Sequence, residues 1–176
     1  MNGAIFFSGQ HGSTAQYAEW IGEATGLPVF NVNDTDVDPS KYDFLVLGSS
    51  VIVYKLTIRK WVHSKLAGIK GKPIILFTVS GARAGSKLDA WIADSLPGSL
   101  VATIKHVALG GRMNPKDLSW WLRMVLRIGA WRNKNPEDKK QELEGFDFMD
   151  KTGIEPILKL VRQRQSTEAT PTQRVA

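Results

Sequence analysis

The chain has 176 residues, 43% of them hydrophobic, which suits one substantial core and not two full-size domains. It contains no cysteine, so disulfides, thiolate nucleophiles and cysteine-bound metal or iron–sulfur centres are excluded. The net charge of +6 is uneven: residues 1–100 carry 9 Lys/Arg against 8 Asp/Glu and residues 101–176 carry 14 against 9, a late basic excess suited to phosphates of nucleic acid or lipid, or simply to solubility.

The first apolar run, residues 4–7, opens almost at the N-terminus with no charged targeting region before it, and no uncharged apolar run approaches the roughly 18–20 residues that span a bilayer. The expected location is the cytoplasm. Further strand-like runs cover residues 28–32, 44–47, 73–79 and 100–109, the third and fourth of the five being nearly continuous, as in strands covered on both faces of a parallel sheet. Helical spacing appears between them at 13–25, with Ala15, Ala18, Ile21 and Gly22 on one side, at 57–66 and at 87–95. The alternation predicts an α/β, doubly wound five-stranded parallel sheet with helices on both faces. Ligands of such sheets sit at the carboxyl ends of the strands.

The loop after the first strand reads Ser8, Gly9, Gln10, His11, Gly12, Ser13, Thr14. Small residues let the backbone approach a ligand, hydroxyls donate to phosphate oxygens, and the helix N-terminus behind them favours an anion. The lysine of a nucleoside-triphosphate loop is missing and the glycines do not match G-x-G-x-x-G, so a monophosphate is the better fit. The plainer reading is a βα loop in which Ser13 or Thr14 only caps the helix. His11 suits phosphate binding or acid–base work, or is a solvated loop residue; with His63 and His106 it forms no metal-ligand spacing, and no metal is expected.

Asn114 and Pro115 mark a helix start, predicted to run over residues 114–134, with Pro136 its latest end. Lys116, Arg123, Arg127 and Lys134 lie at offsets of 7, 11 and 18 residues, which at about 100° per residue return to nearly one bearing, with Trp120 and Trp131 beside them. Leu118, Leu122, Val125, Leu126 and Ile128 fill the opposite arc. Such a helix suits an anionic membrane surface or a carboxylate-bearing substrate; alternatively its apolar arc packs on the sheet and the basic stripe is a solvated face. The tryptophans interleave with aliphatics and not with a dense basic cluster, so nucleic acid is not the expected partner. After a charged connection over 132–144, the segment "GFDFMD" predicts a short strand and "GIEPILKLVRQ" a last helix with Pro156 in its first turn. From Gln163 the chain is polar and without periodicity, which predicts a single domain over 1–162 and a disordered tail over 163–176.

The first loop, "YDFLVLGSSVIVYKLTIRKWV" and "ALGGRMNPKDLSWWLRMVLRI" together resemble the flavodoxin-like family, and within it the FMN-containing, menaquinone-dependent protoporphyrinogen oxidases, over about residues 2–162. The resemblance implies sheet order 2-1-3-4-5 and FMN as cofactor. Ser8, Gly12 and Thr14 match the S/T-x-x-x-G-x-T pattern of the family's phosphate loop. The "GSS" start of the second loop implies that Ser49, Ser50, Val51, Ile52 and Val53 border the flavin ring, with Tyr54 either against it or turned to solvent. Ser80, Gly81 and Ala82 of the third loop would close the other side. Electron-carrying relatives usually place hydroxyl residues where Gly9 and His11 stand and an aromatic in the third loop, where this sequence has none, and they are typically acidic.

What the resemblance implies is an FMN-dependent oxidoreductase of heme biosynthesis, passing electrons from a tetrapyrrole-type substrate to a quinone, peripheral on the inner face of the cell membrane. Arg112, Lys116, Trp120, Arg123, Arg127 and Trp131 would contact substrate or membrane, and no catalytic acid or base is assigned because flavin chemistry asks little of side chains. The alternative is a flavodoxin-like electron carrier, or a cofactor-free interaction module that docks a partner through the basic helix.

Overall fold

The computed structural model describes residues 1–9, 12–82, 84–113, 124 and 146–166. In chain order the elements are β1 (Gly3–Ser8), α1 (Ser13–Thr25), β2 (Val29–Asn31), β3 (Phe44–Ile52), β4 (Lys55–Leu56), α2 (Arg59–Ser64), α3 (Leu66–Ile69), β5 (Ile74–Ser80), α4 (Ser86–Ser95), α5 (Gly98–Val101), β6 (Lys105–Gly110), β7 (Arg112–Met113), β8 (Phe146–Asp147) and α6 (Glu155–Ser166). Five parallel strands lie in the order β2-β1-β3-β5-β6. Set aside β4, which turns back antiparallel on the end of β3, and this is the predicted order 2-1-3-4-5.

The apolar runs become strands because both of their faces are covered. Alternate residues of one strand enter different cores: Ile5 and Val46 face α1 and α6, while Phe6 and Leu47 face α2 and α4. Register then levels the loops, since Ser8 pairs with Ser49, Ser49 with Thr78 and Thr78 with Ala108. Three loops therefore leave the sheet at one height, side by side.

Three boundaries and one buried face differ from the sequence reading. The helix expected over 57–66 is broken at Lys65 into α2 and α3. The strand expected from Leu100 starts at Lys105, because Pro97 opens a short helix that turns Leu100 into the core. In α1 the buried face holds Tyr17 with Ala18, Ile21 and Gly22, and Ala15 is only partly covered. The last helix continues through Ser166, with Gln165 Nε2 donating to the Thr25 carbonyl at 3.3 Å, so the tail expected from Gln163 loses its first four residues to α6. Pro156 stands in the first turn of α6 and Phe146–Asp147 is a strand, as read.

Candidate functional site

The first and second loops are joined by side chains. Thr57 Oγ1 donates to the Ser8 carbonyl at 2.7 Å, and the buried Ser49 hydroxyl donates to the Ser50 carbonyl at 2.9 Å while accepting from the Ile58 amide at 3.3 Å. Above them Thr14 Oγ1 and Ser50 Oγ share a hydrogen bond of 2.7 Å. Gly9 lies against this pair: a Cβ there would stand 2.7 Å from Thr14 Cβ and 3.1 Å from Ser50 Oγ. The loop closes this tightly only because position 9 has no side chain.

Gly12 is the N-cap of α1, with φ of +81°, and no side chain caps the helix. The plainer reading of the loop, in which Ser13 or Thr14 caps α1, is thereby corrected. Ser13 Oγ instead accepts from the Arg112 amide at 3.2 Å and lies 3.5 Å from the Arg112 carbonyl, to which it donates. Thr14 is committed to Ser50. The positive end of the α1 dipole thus faces the loop without a capping oxygen. Gln10 and His11 lie outside the described residues.

The second loop runs through Ser50, Val51 and Ile52 into a two-residue turn at Val53 and Tyr54 and back along β4. Both turn residues have positive φ, +46° and +63°, the left-handed geometry of a type I′ hairpin turn. A β-branched residue there carries strain of about 1–3 kcal/mol. The turn is held through the Leu56 amide, which donates to Ser95 Oγ at 3.1 Å, and through Lys55, whose Nζ is 3.6 Å from Asp94. Tyr54 is 63% exposed, and its ring lies 5.1 Å from that of Trp91 in α4.

In the third loop the Ser80 hydroxyl bonds both main-chain groups of Ala82, at 3.1 and 3.2 Å, and shapes a tight turn. A Cβ on Gly81 would stand 2.8 Å from the ring of Phe146. That ring arrives on a ribbon: β7 pairs antiparallel with β8, Arg112 opposite Asp147 and Met113 opposite Phe146. The ribbon is tied to the sheet by the Gly111 amide donating to the Ser80 carbonyl at 2.9 Å and the Phe148 amide donating to the Gly111 carbonyl at 2.9 Å. Phe146 and Phe148 stack at 5.0 Å, nearly parallel.

Tyr17 fastens the ribbon to α1. Its buried hydroxyl donates to the Gly110 carbonyl and accepts from the Asp150 amide, each at 2.9 Å. Burial pushes the phenol above its ordinary value, so it stays protonated. On the opposite face His106 Nε2 lies 2.9 Å from Thr78 Oγ1, and burial holds the imidazole below its ordinary value. His63 Nε2 meets the Ser95 carbonyl at 3.3 Å. Among the described residues no three His, Asp or Glu side chains group as a metal site, and no helix is long and apolar enough to cross a membrane.

The structure therefore brings Ser8, Gly9, Thr14, Ser49 and Ser50 together, sets Ser80, Gly81 and Ala82 beside them, and puts the Arg112 main chain against Ser13. Lys116, Trp120, Arg123, Arg127, Trp131 and Lys134 lie outside the described residues. Thr57, Tyr17 and Phe146 were not singled out from sequence. Only the glycines at 81 and 110 signalled that something must approach closely.

The sequence matches the flavodoxin domain over residues 4–140. The chain belongs to the flavodoxin domain family. A solved flavodoxin from the domain Archaea superimposes with a TM-score of 0.51 at 17% identity, over 92% of this chain and 99% of that one, and shows the fold. The Trp repressor binding protein of Bacillus subtilis is similar at 13% identity over 62% of this flavodoxin-fold chain and 85% of its own, TM-score 0.47. An azoreductase from Bacillus anthracis str. Sterne is similar at 10% identity over 93% and 100%, TM-score 0.45. No curated protein matches the chain.

Proposed function

We propose that this flavodoxin-domain chain binds FMN at the carboxyl edge of its sheet and works as an FMN-dependent oxidoreductase similar to the protoporphyrinogen oxidases, taking electrons from a reduced tetrapyrrole-type substrate and delivering them to a quinone at an anionic membrane surface. The observation that carries the cofactor reading is the 2.7 Å bond between Thr14 and Ser50, closed over Gly9 in front of a helix that no side chain caps. Small residues, a bonded hydroxyl pair with one proton left to donate and an uncapped helix N-terminus suit a phosphate monoester.

Thr14, Ser50 and the first-turn amides of α1 would hold the phosphate. Ser50, Val51, Ile52 and Val53 of the second loop and Ser80, Gly81 and Ala82 of the third would hold the ring. FMN, when bound, supplies the hydride and single-electron chemistry. The side chains bind and orient: Thr57 and Ser49 fix the second loop against β1, and the Val53–Tyr54 turn is held off by Trp91. Arg112, Lys116, Arg123 and Arg127 are the cations proposed for substrate carboxylates or lipid phosphates, with Trp120 and Trp131 at the membrane interface.

The test is to incubate the protein with FMN, remove the excess and record the visible spectrum during dithionite titration. Retained flavin bands that bleach on reduction support the reading and lead to an assay with a porphyrinogen and a quinone. A colourless protein overturns it and leaves an interaction module on the same fold. The membrane component is tested by the double substitution Arg123→Glu and Arg127→Glu, which should weaken binding to anionic liposomes by about 1 kcal/mol or more per reversed charge and leave FMN content unchanged. Equal liposome binding by the two proteins would remove the membrane from the proposal.

A further inference from the structure

The third loop contains no aromatic residue, yet an aromatic ring rests on it. Phe146 is delivered by β8, far along the chain, and its ring fills the space a side chain at position 81 would need, the nearest ring atoms 2.8 and 3.0 Å from where a Gly81 Cβ would stand. Phe148 stacks behind it at 5.0 Å with 18° between the planes and stays 45% exposed. The placement is held from three sides. The Gly111 amide bonds the Ser80 carbonyl, the Phe148 amide bonds the Gly111 carbonyl, and the Tyr17 hydroxyl bridges Gly110 and Asp150.

Phe146 is part-buried and Phe148 exposed, so this nearly parallel pair leaves apolar ring surface in water that a further apolar surface would cover favourably. The ribbon that bears it touches both ends of the proposed cofactor site: Arg112 at Ser13 beside the phosphate loop, Phe146 at Gly81 in the third loop. A planar π system is the ligand surface that such rings match best, because offset stacking adds to burial. We infer that Phe146, carried by the β7–β8 ribbon, is the aromatic wall on the third-loop side of the flavin ring, with Phe148 backing it. The inference rests on the FMN reading above. It assigns to the site a residue that lies outside all three loops, and it makes the ribbon its fourth side.

The test compares wild-type protein with Phe146→Leu, Phe146→Tyr and Phe146→Trp, each loaded with FMN. The readouts are flavin fluorescence, the visible spectrum, FMN affinity and the midpoint potential. Phe146→Leu should bind FMN about three- to tenfold more weakly and shift the visible spectrum and the potential, since it removes one aromatic contact. Phe146→Tyr should keep affinity and potential near wild type and quench the flavin fluorescence further, because a phenol donates an electron to excited flavin. Phe146→Trp should add a broad long-wavelength charge-transfer absorbance, and it serves as the deciding variant should Phe146→Leu fail to fold. Affinity, spectrum and potential unchanged in Phe146→Leu, or neither added absorbance nor added quenching in Phe146→Trp, would overturn the inference and leave Phe146 as packing on Gly81. Wild-type protein that holds no flavin would instead overturn the FMN reading itself.

Discussion

The loop after β1 and the β7–β8 ribbon meet at Ser13 and Arg112, and they reach that point by different routes. In the loop, Gly9, Gly12 and Thr14 are near neighbours in the chain, and the one distant partner, Ser50, is placed by the register that sets Ser8 opposite Ser49. In the ribbon every anchoring contact is remote: Phe146 on Gly81, Phe148 on Gly110 and Gly111, Asp150 on Tyr17. A site edge built from local residues keeps its shape as long as the strand beneath it stands. An edge built from remote residues is only as firm as each of its tertiary contacts, so substitutions there should move stability and ligand binding together.

The sharpest way to break the ribbon edge is Gly110→Ala. The new Cβ would run into the Phe148 carbonyl, a main-chain atom that no rotamer change can remove. The expected loss is about 2–3 kcal/mol, the upper part of the range for overpacking, or roughly 4–12 °C in a thermal melt for a chain of this size. A melt within a degree of wild type would show that the ribbon gives way freely and that its contacts hold little. Next in size is Tyr17→Phe, which keeps the ring in the core and deletes only the hydroxyl that bridges Gly110 and Asp150. Two lost hydrogen bonds, with part-buried main-chain groups left behind, should cost about 1–3 kcal/mol in chemical denaturation.

The same contrast decided what could be read from the sequence. The strands β1, β3 and β5 were legible because burial on both faces makes them continuous apolar runs, and the first loop because its small residues and its helix start sit within seven positions. Thr57 was invisible because its partner is the Ser8 carbonyl, and a side chain bonded to a distant main-chain atom leaves no spacing to find. Tyr17 fell on the buried face of α1, but nothing near it in sequence says that its hydroxyl stays with Gly110 and Asp150. For Phe146, the segment "GFDFMD" predicts a strand, and the glycine at 81 reads only as part of a flavin-side loop, while the structure shows it as the seat of a close approach. Neither named the other. The short α5 was missed because Pro97 reads equally as a turn and as a helix start.

On the local edge the informative pair is Thr14 and Ser50. Thr14→Val and Ser50→Ala should each weaken FMN binding about three- to tenfold and cost about 1 kcal/mol of stability, because each deletes a hydroxyl offered to phosphate and with it the bond between the pair. In the double substitution the losses should fall short of additive, since each single change already removes their mutual bond. Fully additive losses in a binding cycle would mean that the two hydroxyls act independently.

The smallest effect is a pH dependence, and it asks which edge acid loosens first. His106 sits in β6 beside Thr78, and burial lowers its proton affinity, with Asp89 in α4 partly opposing. The unfolded chain therefore takes up a proton on this residue at a pH where the folded chain does not. Stability is fully present above the ordinary histidine value of 6.5, declines as pH falls below it, and the decline ends below the lowered folded value. The carboxyls of Asp38 and Asp150, also lowered by their hydrogen bonds to Ser40 and Thr152, contribute stability that is present above their ordinary 3.8 and is lost only as pH falls below it, outside this window. Melts between about pH 8 and pH 5 should thus fall by a few degrees in the wild type and less in His106→Gln, which keeps a bond to Thr78 and cannot charge. Superimposable curves would mean that His106 titrates alike in both states. Because β6 carries His106 at one end and Gly110 at the other, protonation weakens the strand that anchors the ribbon. The first loop stands on β1 and β3, neither of which contains a titrating side chain, so acid should release the ribbon edge before the phosphate edge.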